Sequence, residues 1–329
     1  MKPRVFLPEP IAASGLELLR GECECLAPWD KSSPRNREGS LLDDADAVIV
    51  RLFRIVREDL DRAKRLKVIA KHGVGVDNID CEAATMRGIP VVYTPTANTN
   101  AVVEHTVCLM LALARQICPA IHALRDGWFS ESNRFQEIEL RGKMLGIVGL
   151  GRIGIRVAET AAKGFGMQVC AYDPFLDETP EKGLVSLEKT LEAVMEKADF
   201  LSLHLPLKPE TRHLINSNSL KHIKPGSRLV NTSRGGVIDE LDLVRALEEG
   251  QLAGAALDVF EKEPLPADHP LRHAPNVLLT PHISSATPES LERMALQAAR
   301  GVLDWLHGKR PEHVVNPDVF LMNGCAVQS

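Results

Sequence analysis

The chain has 329 residues, of which 44% are hydrophobic and 25% charged, and its formal net charge is -5. This composition is typical of a soluble globular protein of about two domains, and so small a net charge does not favour a nucleic-acid partner. No apolar run is long enough to span a membrane. The seven cysteines lack the spacing of a zinc site, so we expect reduced thiols, no bound metal and a cytoplasmic protein without a secretory leader.

Short apolar strands alternate with amphipathic helices along nearly the whole chain. The first strands are predicted at 4–8, 46–51, 67–71 and 90–94, with helices at 11–20 and 81–88. After a break at 96–100, a helix is predicted over 101–124. A second series of strands follows at 143–150, 168–173, 200–205, 228–233, 254–260 and 277–281, and a last helix begins at residue 288. This alternation predicts two α/β units, each with a parallel sheet covered by helices on both faces.

The turn after the strand at 143–150 reads GLGRIG, which matches the G-x-G-x-x-G pattern of a dinucleotide-binding turn. Gly149 permits the tight turn, Gly151 lets a pyrophosphate approach the backbone, and Gly154 lets the following helix pack closely. About 20 residues further on, Asp173 ends the next strand, where an acid binds the adenosine ribose. Because this carboxylate would repel a 2′-phosphate, NAD is favoured over NADP. Arg152 either contacts the pyrophosphate or is a solvated residue at the helix start.

Three loops of the second series carry residues suited to hydride-transfer chemistry. Arg234, Glu263 and His282 each follow the carboxyl end of a predicted strand. Ligands of open α/β sheets bind at this edge, so the three side chains are expected to converge there.

The motifs GLGRIGIRVAE, HLPLKPETRHLI, LVNTSRGGVIDE, GAALDVFEKEPL and LTPHISSAT resemble those of the D-isomer-specific 2-hydroxyacid dehydrogenases. The resemblance runs from about Val5 to Pro317. It implies two Rossmann/flavodoxin-like doubly wound parallel-sheet domains with an active-site cleft between them. Residues 1–98 plus 285–329 would form a discontinuous substrate domain, and residues 99–284 the NAD-binding Rossmann domain.

The resemblance also implies the roles of the three loop residues. Arg234 would hold the substrate carboxylate and carbonyl, His282 would be the acid/base, and Glu263 would pair with its imidazole. These roles suit the side chains, because the guanidinium fork matches a 2-oxo acid and histidine exchanges protons near neutral pH. We therefore expect reduction of the carbonyl to become slower as the pH rises.

The remaining contacts implied by the resemblance are on the cofactor and on the substrate. The substrate residues are Val74, Gly75 and Asn98, together with Arg234. The cofactor residues are Gly149, Gly151, Arg152, Ile153, Gly154, Asp173, His204, Leu205, Pro206, Thr211, Thr232, Ser233, Asp258 and His282. For Asp258, the expected contact is the carboxamide of the nicotinamide.

The substrate itself is left open by the sequence. Arg51, Arg54, Lys71 and Arg134 could bind a phosphate, as in 3-phosphoglycerate dehydrogenases, but reduction of glyoxylate or hydroxypyruvate fits equally well. Formate dehydrogenases resemble this chain but carry Gln in place of Glu263, which favours hydroxy-acid chemistry. A weakly catalytic NAD-binding corepressor is an alternative of another class.

The family resemblance also implies a homodimer. The helical segment at 101–124 and the following DGWFSESNRFQ resemble the dimerisation arm of the family. Trp128 and Phe129 would be the interface anchors.

Overall fold

The computed structural model describes residues 2–30, 41–129, 135, 137–179 and 183–322. The chain divides into two compact units, Met1–Thr99 with Ser285–Ser329 and Asn100–Ser284, which we name the first and the second unit. The helices are α1 Ala13–Glu22, α2 Arg57–Arg62, α3 Cys81–Met86, α4 Thr99–Ala114, α5 Ile117–Arg125, α6 Arg152–Phe165, α7 Leu191–Lys197, α8 Ser217–Leu220, α9 Glu240–Glu248, α10 Pro288–Leu306 and α11 Val319–Met322. The strands are β1 Arg4–Phe6, β2 Glu24–Leu26, β3 Ala47–Val50, β4 Val68–Lys71, β5 Val91–Val92, β6 Met144–Val148, β7 Gln168–Tyr172, β8 Ser186–Leu187, β9 Phe200–Leu203, β10 Ser227–Asn231, β11 Leu252–Leu257 and β12 Val277–Leu279.

The first unit is built on a parallel sheet of five strands in the order β2-β1-β3-β4-β5. The central strands β3 and β4 are buried along their whole length, as expected for a sheet covered on both faces. Helices α1 and α10 share one core cluster of this unit. A Cβ atom at Gly15 would lie 2.7 Å from the Cβ atom of Ala295, so these helices approach closely only because position 15 has no side chain.

The second unit is built on a parallel sheet of seven strands in the order β12-β11-β10-β9-β6-β7-β8. Strand β6 lies between β7 and β9, and the chain winds outward from it in both directions. The order of the strands therefore reverses between β6 and β9. The carboxyl ends of these two strands are the topological switch point, where open α/β sheets bind their ligands.

Most predicted elements are present, with shorter strands than the apolar runs suggested, but the single helix predicted over 101–124 is wrong. The segment forms α4 and α5, which are bent by 58° at the break. Gln116 adopts a left-handed backbone conformation there, with φ 46°. Pro119 lacks the N–H that a continuous helix would direct at the carbonyl of Arg115, so the chain starts a new helix instead.

No single helix among the described residues is long and apolar enough to cross a membrane. The bent pair α4 and α5 meets that length and composition only when its two helices are taken together.

Candidate active site

The glycine turn after β6 packs closely against its surroundings because its glycines have no side chains. Gly149 has φ 91°, and a Cβ atom there would lie 2.5 Å from the carbonyl oxygen of His204. A Cβ atom at Gly154 would lie 2.2 Å from the carbonyl oxygen of Gly149. Gly151 differs, because a Cβ atom there would meet no atom of the described residues within 4 Å. Gly149 and Gly154 thus serve protein packing, whereas Gly151 opens onto free space.

The start of α6 offers the features that a pyrophosphate needs. Gly151 is the N-cap residue and, as a glycine, provides no side chain to cap the first turn of the helix. The first amides and the positive end of the helix dipole can therefore be used by an anion. Arg152 is exposed at this end, and Ile153 is partly buried against a core cluster of the unit. The residues present thus fit a dinucleotide.

Asp173 follows β7 and is held beside the glycine turn. One carboxylate oxygen accepts a hydrogen bond from the amide of Leu150 at 3.0 Å, and the other accepts from the amide of Phe175 at 3.0 Å. Each oxygen has a further lone pair, so the carboxylate can still accept hydrogen bonds from ribose hydroxyls.

The loop after β9 lies at the other side of the switch point. The Nε2 atom of His204 is 2.9 Å from the hydroxyl of the buried Ser202, and burial lowers the pKa of His204 to about 4. The imidazole is therefore neutral at pH 7. Leu205 packs against a core cluster and Pro206 is exposed. The hydroxyl of Thr211 donates to the carbonyl of Pro206 at 2.7 Å, which closes the loop.

The turn after β10 is organised by the side chain of Asn231. Its oxygen accepts hydrogen bonds from the amide of Ser233 at 2.9 Å and from the Ser233 hydroxyl at 2.8 Å. Its amide nitrogen donates to the carbonyl of Arg234 at 2.9 Å. A Cβ atom at Gly235 would lie 1.9 Å from the carbonyl carbon of Phe260. The turn carrying Arg234 is therefore pressed against the backbone that leads to Glu263.

Glu263 and His282 form a direct pair. The Nδ1 atom of His282 is 2.7 Å from Oε2 of Glu263, and Oε1 of Glu263 accepts from the amide of Phe260 at 3.0 Å. Burial raises the pKa of Glu263, but the hydrogen bonds from His282 and Phe260 and the charges of His282 and Arg234 outweigh it and leave that pKa below its usual value. Glu263 is therefore ionised at neutral pH, beside Arg234 and His282.

Asp258 holds the loop that presents His282. It is fully buried, and its carboxylate accepts from the hydroxyl of Thr280 at 2.6 Å and from the amides of Ile283 at 2.9 Å and Ser284 at 2.8 Å. Burial raises its pKa, but hydrogen bonds from His105, Thr280 and these two amides lower it to about 2. His282 is in the left-handed region with φ 52°, and its amide donates to the carbonyl of Asp258 at 2.8 Å.

In the first unit, the sequence singled out Val74, Gly75 and Asn98. Val74 and Gly75 are half-buried in the loop after β4. That loop starts at Gly73, whose amide donates to the hydroxyl of Thr94 at 3.0 Å. The side-chain oxygen of Asn98 is buried and has no hydrogen-bond partner among the described residues. Leaving a buried acceptor without a hydrogen bond is energetically costly, so this oxygen is suited to bind a ligand.

Two of the basic residues considered for phosphate binding are hydrogen-bonded to the protein itself. Arg51 donates to the carbonyl of Pro10 at 3.3 Å, and the buried Lys71 donates to the side chain of Asn78 at 2.7 Å. Arg54 is exposed. Arg134 lies outside the described residues.

Residues 107–284 match the family model described as "D-isomer specific 2-hydroxyacid dehydrogenase, NAD binding domain". The chain belongs to this family. It is therefore an oxidoreductase that transfers hydride between a nicotinamide cofactor, primarily NAD, and small hydroxy or oxo acids. Its fold of two doubly wound parallel-sheet domains is that of the family.

The proteins to which this dehydrogenase is similar are named after several different substrates. A glyoxylate reductase of Thermofilum pendens is 43% identical over 97% of this chain and 96% of its own length. A D-3-phosphoglycerate dehydrogenase of Methanocaldococcus jannaschii is 41% identical over 95% of this chain but only 59% of its own length. The crystal structure of D-lactate dehydrogenase from Aquifex aeolicus, complexed with NAD and lactic acid, is 30% identical, with a TM-score of 0.80 over 93% of this chain and 96% of that one.

Sequence reasoning missed several polar residues that support the dehydrogenase loops. Asn231 shapes the Arg234 turn, and its place at a strand end before a turn was a usable signal. Thr106 and His105 are different, because they lie inside the apolar helix α4. The Thr106 hydroxyl is 2.8 Å from that of Thr232, and Nε2 of His105 is 3.1 Å from the hydroxyl of Thr280. Only the folded chain reveals these two contacts.

Proposed function

We propose that this dehydrogenase reduces glyoxylate or hydroxypyruvate to the D-2-hydroxy acid with NADH, using His282 as the acid/base and Arg234 as the substrate anchor. The observation that carries the proposal is the 2.7 Å contact between His282 Nδ1 and Glu263, in a loop pressed against the Arg234 turn. A histidine hydrogen-bonded to a carboxylate is held in one orientation and one tautomer, as a group that exchanges a proton with a substrate must be.

The roles follow from the chemistry of each side chain. Bound nicotinamide supplies the hydride. Arg234 holds the carboxylate of the oxo acid and polarises its carbonyl, as a planar fork of donors can do. Because Nδ1 of His282 faces Glu263, Nε2 is the nitrogen that exchanges a proton with the substrate oxygen. Glu263 is a positioning residue that sets the tautomer and the orientation of His282.

The cofactor contacts are proposed on the second unit. The open space at Gly151 and the uncapped start of α6 support a pyrophosphate there, next to Arg152, Ile153 and Gly154. Asp173 would accept from the ribose hydroxyls, which favours NAD over NADP. The loop residues proposed to line the rest of the dinucleotide are His204, Leu205, Pro206, Thr211, Thr232, Ser233, Asp258 and His282.

The substrate contacts on the first unit are Val74, Gly75 and Asn98. Amides of a glycine-containing loop can converge on a carboxylate, and the unsatisfied oxygen of Asn98 supports a polar ligand beside it. We assign residues 1–98 plus 285–329 to the substrate domain and 99–284 to the NAD-binding domain. The chain passes from one compact unit to the other after Thr99 and after Ser284, which supports this assignment.

A second candidate substrate is 3-phosphohydroxypyruvate, which the 41% identity to a D-3-phosphoglycerate dehydrogenase favours. Two relatives named glyoxylate reductase are 43% and 44% identical, and a glyoxylate/hydroxypyruvate reductase is a structural neighbour at 30% identity. These likenesses support glyoxylate and hydroxypyruvate as the first substrates to test.

Steady-state kinetics test the proposal. The enzyme should be assayed with glyoxylate, hydroxypyruvate, pyruvate, phenylpyruvate and 3-phosphohydroxypyruvate, each with NADH and with NADPH. We expect the highest kcat/KM for glyoxylate or hydroxypyruvate with NADH. Binding of NADH without turnover of any oxo acid would favour the corepressor alternative instead.

We further propose a cytoplasmic homodimer. Apolar side chains are exposed along α5 and just after it, namely Ile117, Ile121, Leu124, Trp128 and Phe129. A groove of about 650 Å³ is lined by residues of α4, α5 and α6 beside them. A second copy of the chain would cover this surface, because an apolar patch of this kind is typical of an interface. Leu124→Asp should produce monomers in sedimentation experiments, whereas a monomeric parent protein would contradict the proposal.

A further inference from the structure

The loop after β3 is closed around a carboxylate from the same chain. The amide of Arg51 donates to Glu9 Oε2 at 2.7 Å, and the amide of Leu52 donates to both oxygens of Glu9 at 2.9 Å. The amide of Phe53 donates to Oε2 at 3.0 Å. Successive amides that point to one place form an anion-binding site. In this protein Glu9 fills that site.

The basic side chains around the loop are used to hold it. The guanidinium of Arg51 donates to the carbonyl of Pro10, so it is directed back to the loop that carries Glu9. Lys71 donates to the carbonyl of Arg51 and to the side chain of Asn78. Asn78 in turn donates to the carbonyl of Phe53 at 2.6 Å. These bonds fix the loop in the conformation that binds Glu9.

This filled anion site adjoins the loop proposed to bind the substrate carboxylate. Strands β1 and β4 flank β3, so the loops that follow these three parallel strands lie at one edge of the sheet. The amide of His72 donates to the carbonyl of Val50 at 2.9 Å, and the glycine loop begins at the next residue, Gly73. A Cβ atom at Gly73 would lie 3.5 Å from Cε of Lys71. The substrate loop and the Glu9 site thus share their supporting residues.

We propose that Glu9 is a specificity-determining residue that makes the dehydrogenase select 2-oxo acids with a single anionic group. Its carboxylate occupies the amides that a phosphoryl group would use and places a negative charge there. A substrate with a second anionic group, such as 3-phosphohydroxypyruvate, is therefore repelled, and the amides of Arg51, Leu52 and Phe53 are already bound to Glu9. The inference rests on the proposed function, because it concerns the substrate loop of the same enzyme.

The test compares two substrates that differ by one phosphoryl group. The quantity measured is kcat/KM for hydroxypyruvate divided by kcat/KM for 3-phosphohydroxypyruvate, with NADH. Glu9→Ala empties the amide site and removes the charge, and we expect this ratio to fall about tenfold or more, as removing a like charge does. Glu9→Gln removes the charge but keeps an acceptor oxygen, so a smaller fall is expected. Glu17→Gln, an exposed position on α1, is the matched control and should not change the ratio.

A binding experiment that needs no turnover completes the test. With NADH present at saturation to fill the dinucleotide site, inorganic phosphate should raise the Tm of Glu9→Ala by more than it raises the Tm of the parent protein or of Glu17→Gln. A ratio that stays the same in both Glu9 variants would overturn the inference, as would a parent enzyme that prefers the phosphorylated acid. Neither result would affect hydride transfer to 2-oxo acids, whereas failure to reduce any oxo acid would refute the proposed function instead.

Discussion

The two units contain the same kind of parallel sheet, but they differ in how fully the polar groups of their loops are hydrogen-bonded. In the second unit, the carboxylates of Asp258 and Glu263 are surrounded by donors from their own unit. In the first unit, both ring nitrogens of His72 and the side-chain oxygen of Asn98 are buried without hydrogen-bond partners among the described residues. The loops that we propose for proton transfer are thus held in place by the protein, whereas those proposed for substrate binding keep unused hydrogen-bonding capacity.

The largest effect that tests this comparison is expected at His282. His282→Gln should lower kcat by about 10²- to 10⁴-fold, the usual contribution of general acid catalysis. Asn98→Ala should mainly raise KM, since that side chain is proposed to bind the substrate and not to transfer a proton. The control His222→Gln changes an exposed histidine on the second unit and should have no effect. The distinction between the units would be lost if Asn98→Ala reduced kcat as strongly as His282→Gln.

A smaller effect is expected from Glu263→Gln. Glutamine keeps an acceptor for His282 but removes the negative charge, so kcat should fall about 10- to 100-fold. Without the carboxylate the imidazole loses its charged partner, so the dependence of kcat on pH should differ from that of the parent enzyme. The pH profile of kcat checks this.

The matched control for Glu263→Gln is Glu261→Gln. Glu261 is on the same loop and is paired with a histidine of its own, His213. This variant should keep the parent pH profile. If Glu263→Gln also kept it, the pairing would have no part in proton transfer.

Substitutions of two glycines in the same turn are expected to have different effects, one on stability and the other on cofactor binding. Gly154→Ala brings a Cβ atom 2.2 Å from the carbonyl oxygen of Gly149, so the turn must shift and Tm should fall by the equivalent of about 1–3 kcal/mol. In Gly151→Ala the added Cβ atom meets no atom of the described residues within 4 Å, so Tm should be retained while the Kd for NADH rises about tenfold. Thermal unfolding and fluorescence titration measure the two effects. Equal losses of Tm in both variants would contradict the reading of Gly151 as a ligand-facing position.

The sequence predicted the second unit better than the first. The glycine turn, Arg234, Glu263 and His282 each follow a strand whose carboxyl end is at one edge of the sheet, so their positions followed from the strand order. The support by His105 and Thr106 was not predictable, because it depends on how the helix α4 packs against loops more than 100 residues away. The bond between Glu9 and the loop at Arg51 was missed for the same reason. Secondary-structure propensity depends on residues that are neighbours along the chain. It therefore cannot predict contacts between segments that are distant in sequence.

The smallest effects at neutral pH are expected from two histidines, the buried His72 and the half-buried His204. Burial lowers the pKa of both His72 and His204 to about 4, below the unfolded value near 6.5. Above about pH 6.5 neither state binds a proton, so neither histidine makes stability depend on pH. As the pH falls from about 6.5 to 4, the unfolded chain binds a proton that the folded chain does not. Each histidine should then reduce the free energy of unfolding by up to about 1.4 kcal/mol per pH unit.

Replacement by phenylalanine distinguishes the two units at these positions. His72→Phe removes ring nitrogens that have no partner among the described residues, so stability at pH 7 should be retained or rise. His204→Phe removes the hydrogen bond with Ser202 and should cost about 1 kcal/mol at pH 7. Both variants should flatten the dependence of stability on pH between about 6.5 and 4, as measured by urea unfolding. A loss of stability in His72→Phe as large as that in His204→Phe would mean that His72 has a structural partner, and the first unit would then be as fully satisfied as the second.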